Sequence, residues 1–330
     1  MAKRKASKVQ RIGVLCSGGD SSGMNPCVRA VVRAACFHGI DVRGILRGYQ
    51  GLIDDDVIEM GPRSVSNIIS RGGTILKTAR CQEYRTKAGR KKALATLRRH
   101  GIDGLVIIGG DGSFRGAHAL ASESDIRIIG VPGTIDNDIA GTDFTIGYDT
   151  AINVAMDAID KIRDTAASHD RIFFVEVMGR HAGYIALEAG IAAGAEDVLI
   201  PETPTSEEHV AKKLKEGLAK GKSSAIVVVA EGDDAGGAFA IAERVGKRLG
   251  ARTRVTILGH LQRGGSPTAF ERVLASRLGA AAVQALIDGK SDAMVGLVKH
   301  AVRIGKLDQS WKGKKGIPKE LLDLNEMLSV

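Results

Sequence analysis

Three short segments combine glycine with carboxylate or hydroxyl side chains directly after an apolar run. The first reads SGGDSSGMN over residues 17–25 and precedes a helical pattern. Glycine lets a backbone approach a ligand closely, and the first N–H groups of a helix can bind an anion. This segment therefore favours phosphate binding, although an ordinary tight strand-to-helix turn explains the same residues.

The second segment, GGDGS over residues 109–113, places one carboxylate among three glycines. It follows an apolar run, and open α/β sheets bind ligands at the carboxyl ends of their strands. Asp111 is suited to hold Mg²⁺ while the glycine backbone surrounds phosphates. The alternative is a turn in which Asp111 caps a helix.

The third segment, PGTIDND over residues 132–138, places two carboxylates two residues apart at a strand end. Such a pair is costly unless it binds a cation, a proton or a hydroxyl group. Asp136 is suited to accept a proton from an attacking hydroxyl, and Asp138 to support a metal site. A capped turn with solvated acids is the alternative.

Arginine and histidine follow or precede other apolar runs. They occur at Arg171, in Met178-Gly179-Arg180, at Arg254 and in GHLQRGG over residues 259–265. Arginine binds phosphate through a planar pair of donors. A single surface arginine is usually solvated and predicts little. The prediction of an anion site depends on the fact that all of these residues lie just before or just after apolar strands.

The elements that must position these segments are short apolar strands separated by helical patterns. Many strands are apolar on successive residues, which is typical of parallel strands covered by helices on both faces. Repeated strand–loop–helix units predict a doubly wound α/β architecture. The predicted strands are 12–16, 105–108, 126–131, 172–177, 225–230 and 255–258, and the predicted helices are 25–38, 87–100, 149–163, 206–220 and 268–288.

Composition limits the class of protein. The 330 residues predict two domains, and the net charge of +9 includes five basic residues within the first eleven, which we expect to form a solvated terminus. We expect no nucleic-acid or membrane partner, because no basic stripe or apolar run of about 18 residues is found. Four cysteines without a C-x-x-C pair indicate free thiols in a reducing, cytoplasmic compartment.

These segments occur in the order seen in bacterial ATP-dependent 6-phosphofructokinases, which the chain resembles from about Arg11 to about Ile304. PGTIDND and GHLQRGG are the most specific of them. The resemblance implies two doubly wound α/β (Rossmann-like) lobes with mainly parallel sheets. A nucleotide-binding lobe would hold residues 1–147 plus 261–312, and a sugar-phosphate-binding lobe residues 148–260 plus 313–330.

The resemblance also implies ATP-dependent phosphorylation of fructose 6-phosphate at its 1-hydroxyl, a step of glycolysis, with Mg²⁺ on Asp111. Asp136 would be the catalytic base, with Thr134 and Arg180 also catalytic. ATP would be bound by Gly19, Arg80, Cys81, Gly110, Asp111, Gly112 and Ser113. The sugar phosphate would be bound by Thr134, Ile135, Asp136, Arg171, Met178, Gly179, Arg180, Glu231, Arg254, His260, Leu261, Gln262 and Arg263.

Arg171 and Arg254 resemble arginines that reach the substrate of a neighbouring subunit, so a homotetramer with shared active sites is implied. Bacterial relatives also bind a nucleotide effector between subunits through basic residues, and this chain matches that pattern at Arg29, Arg33, Arg163, Lys220 and Lys222. The acidic residues Asp54, Asp55 and Asp56 stand where the effector loop often has an arginine, and they should repel a diphosphate.

Three other functions compete with this interpretation. Pyrophosphate-dependent members of the family tend to carry a bulkier or acidic residue in place of Gly112 and lysine in place of Gly133, so both glycines favour ATP. NAD or lipid kinases share the Gly-Gly-Asp-Gly turn but leave PGTIDND and GHLQRGG without a role. A catalytically silent subunit would be expected to lose Asp111 or Asp136. We expect the loops carrying these two residues to converge on one cleft.

Overall fold

The computed structural model describes residues 9–329, so the basic segment 1–8 lies outside the described residues. Within them the chain forms eleven strands and eleven α-helices. The strands are β1 (Arg11–Cys16), β2 (Asp41–Ile45), β3 (Val57–Met60), β4 (Gly104–Gly109), β5 (Arg127–Pro132), β6 (Ile172–Val177), β7 (Asp197–Leu199), β8 (Ala225–Ala230), β9 (Thr253–Ile257), β10 (Ala293–Val298) and β11 (Ala301–Lys306). The helices are α1 (Met24–Phe37), α2 (Tyr49–Asp54), α3 (Lys87–Arg99), α4 (Asp111–Glu123), α5 (Tyr148–Ala167), α6 (Tyr184–Ala192), α7 (Glu207–Ala219), α8 (Ala238–Leu249), α9 (Ala269–Ile287), α10 (Gln309–Lys312) and α11 (Lys319–Leu328).

The described chain divides into two compact units. The first contains residues up to Thr134, Asp138–Asp149 and Gly265–Lys315. The second contains Ile135–Asn137, Thr150–Gly264 and the residues from Gly316 onwards. Leu261, Gln262 and Arg263, which the expected boundaries place in the nucleotide lobe, are grouped here with the second unit.

The first unit is built on a seven-stranded sheet in the order β11-β10-β5-β4-β1-β2-β3. Its five inner strands run parallel, and the edge strands β3 and β11 pair antiparallel with β2 and β10. Adjacent residues of one strand point to opposite faces, so Val106 joins one apolar cluster and Ile107 the other. Burial on both faces explains why the inner strands are apolar on successive residues.

The second unit is built on a four-stranded parallel sheet in the order β7-β8-β6-β9. Its apolar core includes Phe174 from β6, Val227 from β8 and Ile241 from α8. The predicted α/β class with mainly parallel sheets is thereby confirmed in both units. No described helix is long and apolar enough to cross a bilayer. All four cysteines are free thiols, with Cys16 and Cys27 buried.

Candidate active site

The first unit has a switch point between β1 and β4. After β1 the chain continues to β2 and β3 on one side of it, whereas β4, β5 and β10 lie on the other side. Where the direction of winding reverses, the loops at the carboxyl ends of the two strands separate and leave a crevice for ligands. The loops in question are the predicted glycine-rich segments after Cys16 and after Gly109.

Hydroxyl groups join these two loops. The backbone N–H of Ser17 donates to the carbonyl of Ile108 at 2.9 Å. Ser113 Oγ donates to Ser17 Oγ at 2.9 Å, and both serines are buried. Tyr49 Oη donates to the carbonyl of Ser113 at 2.5 Å. Ser17 begins the first predicted phosphate-binding segment, but its bond to Ser113 was not predicted. Tyr49 was not predicted at all, because it stands 64 positions from Ser113 and no local pattern suggests the contact.

The glycines of the two loops differ in what surrounds them. A Cβ atom on Gly109 would lie 2.5 Å from the carbonyl oxygen of Ser17, so the loops pass too closely for any side chain. A Cβ atom on Gly112 would meet no atom within 4 Å, so that position faces open space. Among the described residues, no side chain caps the first turn of α4. Its N–H groups can therefore bind an anion.

Arg80 and Cys81 shortly precede Tyr84, which contacts α4. Tyr84 Oη donates to the carbonyl of Gly116 at 3.1 Å, and the Tyr84 ring stacks on Tyr49 at 3.9 Å between centroids. Burial raises the pKa of both phenols, which keeps them neutral and able to donate. Arg80 is exposed and Cys81 is half-buried.

Asp111 stands in the first turn of α4 with 43% of its side chain exposed. Arg115 Nε lies 3.6 Å from its Oδ2 atom, and the described residues contain no cluster of three metal-binding side chains. Mg²⁺ is commonly held by one or two carboxylates together with substrate phosphates and water. An exposed carboxylate beside the open backbone at Gly112 fits that mode of binding.

The third predicted segment follows β5, the neighbour of β4. The N–H of Gly133 donates to the carbonyl of Gly109 at 3.0 Å, and a Cβ atom on Gly110 would lie 3.8 Å from Cβ of Thr134. Thr134 thus lies beside the Asp111 turn within the first unit. Asp136 is buried, with 4% of its surface exposed, and is grouped with the second unit.

In the second unit, three adjacent strands end at the remaining predicted residues. Val177 of β6 is opposite Ala230 of β8, and Glu176 is opposite Ile257 of β9. The carboxyl end of this sheet therefore brings together Met178, Gly179, Arg180, Glu231, His260, Leu261, Gln262 and Arg263.

Arg171 and Arg254 do not join that group. Arg171 immediately precedes β6, and Arg254 is the second residue of β9, so both lie at the amino ends of the strands. A six-residue strand spans roughly 20 Å. Within one chain, these two arginines are thus at the amino ends of the strands, whereas Met178–Arg180 follow the carboxyl end of β6.

The acidic run Asp54–Asp56 is paired with basic side chains. Arg47 Nη2 lies 3.0 Å from carboxylate oxygens of both Asp54 and Asp56. His100 Nε2 lies 2.8 Å from Asp55 Oδ1, and this hydrogen bond lowers the pKa of Asp55. These ion pairs partly offset the repulsion that the sequence predicts for a bound diphosphate.

Comparisons with known proteins agree on one family. A family model described as phosphofructokinase matches residues 11–286. ATP-dependent 6-phosphofructokinase 1 of Thermus thermophilus is 55% identical over 322 residues, covering 98% of this chain and all of that one. ATP-dependent 6-phosphofructokinase 2 of Bacteroides thetaiotaomicron is 52% identical over 323 residues, covering 98% and 99% of the two chains.

A solved structure of phosphofructokinase from Saccharomyces cerevisiae superimposes with a TM-score of 0.87 at 35% identity. The alignment covers 97% of this chain and 48% of the yeast chain, so this chain spans about half the length of that one. The family match and the identity to full-length relatives lead to one conclusion: the chain belongs to the phosphofructokinase family.

Proposed function

We propose that this protein transfers the γ-phosphoryl group of ATP to the 1-hydroxyl of fructose 6-phosphate. The observation that carries the proposal is the crevice between β1 and β4, where the unfilled space at Gly112 leaves room for a nucleotide phosphate. Its two glycine-rich loops are linked through Ser17 and Ser113. The near-complete match to ATP-dependent relatives supports the same reaction.

The first unit binds ATP in this proposal. Backbone N–H groups at the start of α4 and the loop at Gly19 face the phosphates, while Arg80 and Cys81 line the nucleotide. Asp111 would hold Mg²⁺, which when bound offsets the negative charge of the phosphates. Phosphoryl transfer needs little covalent help, so alignment and charge compensation account for most of the catalysis.

The second unit binds the sugar phosphate. Arg180, His260 and Arg263 supply positive charge and hydrogen bonds at the carboxyl end of its sheet. Thr134 and Asp136 meet the reacting end of the sugar, and Asp136 accepts the proton of the 1-hydroxyl. This role requires the loops of Asp111 and Asp136 to converge, which stays a prediction.

The phosphoryl donor is the sharpest test of the reaction. Turnover of fructose 6-phosphate should be measured side by side with ATP and with pyrophosphate, each with Mg²⁺. We expect turnover with ATP, because Gly112 leaves the α-phosphate unobstructed. Turnover with pyrophosphate but not with ATP would contradict the proposal and favour the pyrophosphate-dependent alternative.

Cysteine labelling tests the nucleotide site without relying on turnover. Cys36 and Cys81 are half-buried, whereas Cys16 and Cys27 are buried, and burial raises the pKa of the Cys16 thiol to about 12. A thiol reagent at pH 8 should therefore modify Cys36 and Cys81 alone, since the thiolate is the reactive form. We expect ATP with Mg²⁺ to slow modification of Cys81 but not of Cys36, read by mass spectrometry of peptides. Equal rates with and without nucleotide would remove Cys81 from the site.

A homotetramer with shared active sites is also proposed. It is supported by the position of Arg171 and Arg254 at the amino edge of the sheet, away from the residues that would bind the same substrate within one chain. In an assembly, these arginines would complete the site of a neighbouring subunit.

Hybrid assemblies test this sharing. Arg254→Ala and Asp136→Asn chains should each be inactive alone, but a mixture refolded together should regain activity. With random mixing, about a quarter of the sites would combine an intact Asp136 with an intact Arg254 from the neighbour. Mixing Arg254→Ala with Arg171→Ala is the control, because both defects would fall on the same contributed edge. Absence of any recovery in the first mixture would contradict the shared site.

Effector control and a cytoplasmic location stay predictions. The four free thiols support a reducing compartment. Arg163, one of the residues that match the effector pattern, donates to the carbonyls of Ala193 and Gly194 at 2.8 and 2.7 Å.

A further inference from the structure

The turn that follows β6 has a strained backbone. Arg180 has a φ angle of 55°, in the left-handed region that side chains with a Cβ atom seldom adopt, and Gly179 has a φ angle of 146°. A residue with a Cβ atom is strained in that region, and it keeps the conformation only where the surroundings hold it. The proposed function places this turn, Met178–Arg180, against the sugar phosphate.

Two side chains from other strand ends hold all three N–H groups of the turn. Gln262 Oε1 accepts from the N–H of Met178 at 2.8 Å. Glu231 Oε1 accepts from the N–H of Arg180 at 2.8 Å and from that of Gly179 at 3.3 Å. We call Gln262 and Glu231 the turn clamp.

Backbone contacts close the space behind the turn. The N–H of Glu231 donates to the carbonyl of Val177 at 2.9 Å. A Cβ atom on Gly232 would lie 1.7 Å from the carbonyl oxygen of Arg180, so only glycine fits there. The segment after β8 thus packs directly against the turn, and the clamp is part of a tightly fitted arrangement.

Gln262 differs from its neighbours in burial. It is 1% exposed, whereas Leu261 beside it is 70% exposed. Because Met178 presents an N–H group, the oxygen of the Gln262 amide must face it, which fixes the orientation of the amide. Gln262 Nε2 is buried without a hydrogen-bond partner among the described residues. An unpaired buried donor costs free energy, so the Nε2 atom does not hold the side chain in this position. The hydrogen bond from the N–H of Met178 to the Oε1 atom does.

We propose that Gln262 is a positioning residue: it fixes the Met178–Arg180 turn so that the backbone and Arg180 are preorganised for the sugar phosphate. This assignment replaces the direct contact that the family resemblance implies for Gln262, and it rests on the proposed function. The Oε1 atom of Gln262 is taken up by the N–H of Met178, so we assign the effect of Gln262 on substrate to the backbone of Met178.

The test compares Gln262→Met, which removes the acceptor at similar size, with Gln262→Glu, which keeps an acceptor oxygen. Asp103→Ala is the matched control. Asp103 also accepts from two consecutive N–H groups, those of Gln10 and Arg11 at 2.9 and 3.2 Å, but at the amino end of β1. Three quantities are measured: amide hydrogen exchange at Met178, the KM for fructose 6-phosphate against kcat and the KM for ATP, and the melting temperature.

In Gln262→Met we expect faster exchange at Met178 and a KM for fructose 6-phosphate raised roughly 10- to 100-fold, since a buried N–H group loses its partner. The KM for ATP should stay near its normal value. Gln262→Glu should lie between Gln262→Met and the natural chain. Asp103→Ala should lower the melting temperature while leaving the KM for fructose 6-phosphate unchanged.

Three results would overturn the proposal. One is a KM for fructose 6-phosphate in Gln262→Met that matches the control. Another is a defect in Gln262→Glu that equals or exceeds that in Gln262→Met, because both variants lack the NH₂ group and only Gln262→Glu keeps the acceptor oxygen that the proposal requires. The third is unprotected exchange at Met178 in the natural chain, a measurement that needs no variant to fold and no substrate. If the natural chain fails to bind fructose 6-phosphate while Met178 is protected, the proposed function fails but the clamp does not.

Discussion

Replacing Asp136 by asparagine is expected to lower kcat at least about 10²-fold while the KM values for both substrates change little. Asparagine has the same shape as aspartate but cannot take the proton of the sugar hydroxyl. Asp136 is buried, so bulk water cannot easily supply a substitute base. A steady-state titration of both substrates separates the loss of the chemical step from a loss of binding.

A second buried carboxylate of the same unit provides the control. Asp197 is 8% exposed and begins β7, at the amino edge of the sheet, where Lys213 Nζ lies 3.2 Å from its Oδ1 atom. Asp197→Asn should lower the melting temperature, whereas its kcat should stay near the normal value. Near-normal turnover of Asp136→Asn would remove Asp136 from the role of catalytic base.

Replacing Gly112 by aspartate is expected to raise the KM for ATP at least about tenfold, because like charges brought together at a binding site cost several kcal/mol. The new side chain would enter open space, so the fold itself should tolerate it. The added carboxylate would instead stand where the proposal places the α-phosphate. The KM for fructose 6-phosphate, measured at saturating ATP, should remain near its normal value.

Two companion variants show whether charge or added volume raises the KM for ATP in Gly112→Asp. Gly112→Ala adds volume without charge and should have a smaller effect than Gly112→Asp. Gly61→Asp adds the same charge at another position where a Cβ atom would meet no atom within 4 Å, and it should leave the KM for ATP unchanged. An unchanged ATP affinity in Gly112→Asp would show that Gly112 does not line the nucleotide site.

The two glycines that suggest ATP rather than pyrophosphate differ in their surroundings. Gly112 faces open space, whereas a Cβ atom on Gly133 would lie 3.0 Å from Ile108 Cγ2 and 3.3 Å from Met24 Cε. A side chain at position 133 would therefore require its neighbours to move. From residue type alone, both glycines favour ATP. Only the packing shows that a side chain at position 133 would clash with protein atoms, whereas a side chain at position 112 would enter open space.

The strands β1, β4, β5, β6 and β8 could be predicted from the sequence, since burial on both faces leaves a continuous apolar run such as Gly104–Gly109. The edge strand β9 was also predicted, whereas the inner strands β2 and β10 and the edge strands β3 and β11 were not. β3 and β11 each pair on one side only, and β11 has no buried residue, so neither shows the apolar run of a buried strand. The short strand β7 and five helices, α2, α6, α8, α10 and α11, were likewise not predicted.

The local sequence predicts the chemistry of each loop, because the residues that supply it are near neighbours in the chain: glycines beside Asp111, and Thr134 two positions before Asp136. It also determined the α/β class through the spacing of apolar runs. By contrast, the hydrogen bonds from Ser113 to Ser17 and from Met178 to Gln262 form only in the folded chain, because they join positions 96 and 84 residues apart. Such contacts depend on which strands become neighbours and where the winding reverses. No local pattern encodes that choice, since it is made by the packing of the whole unit.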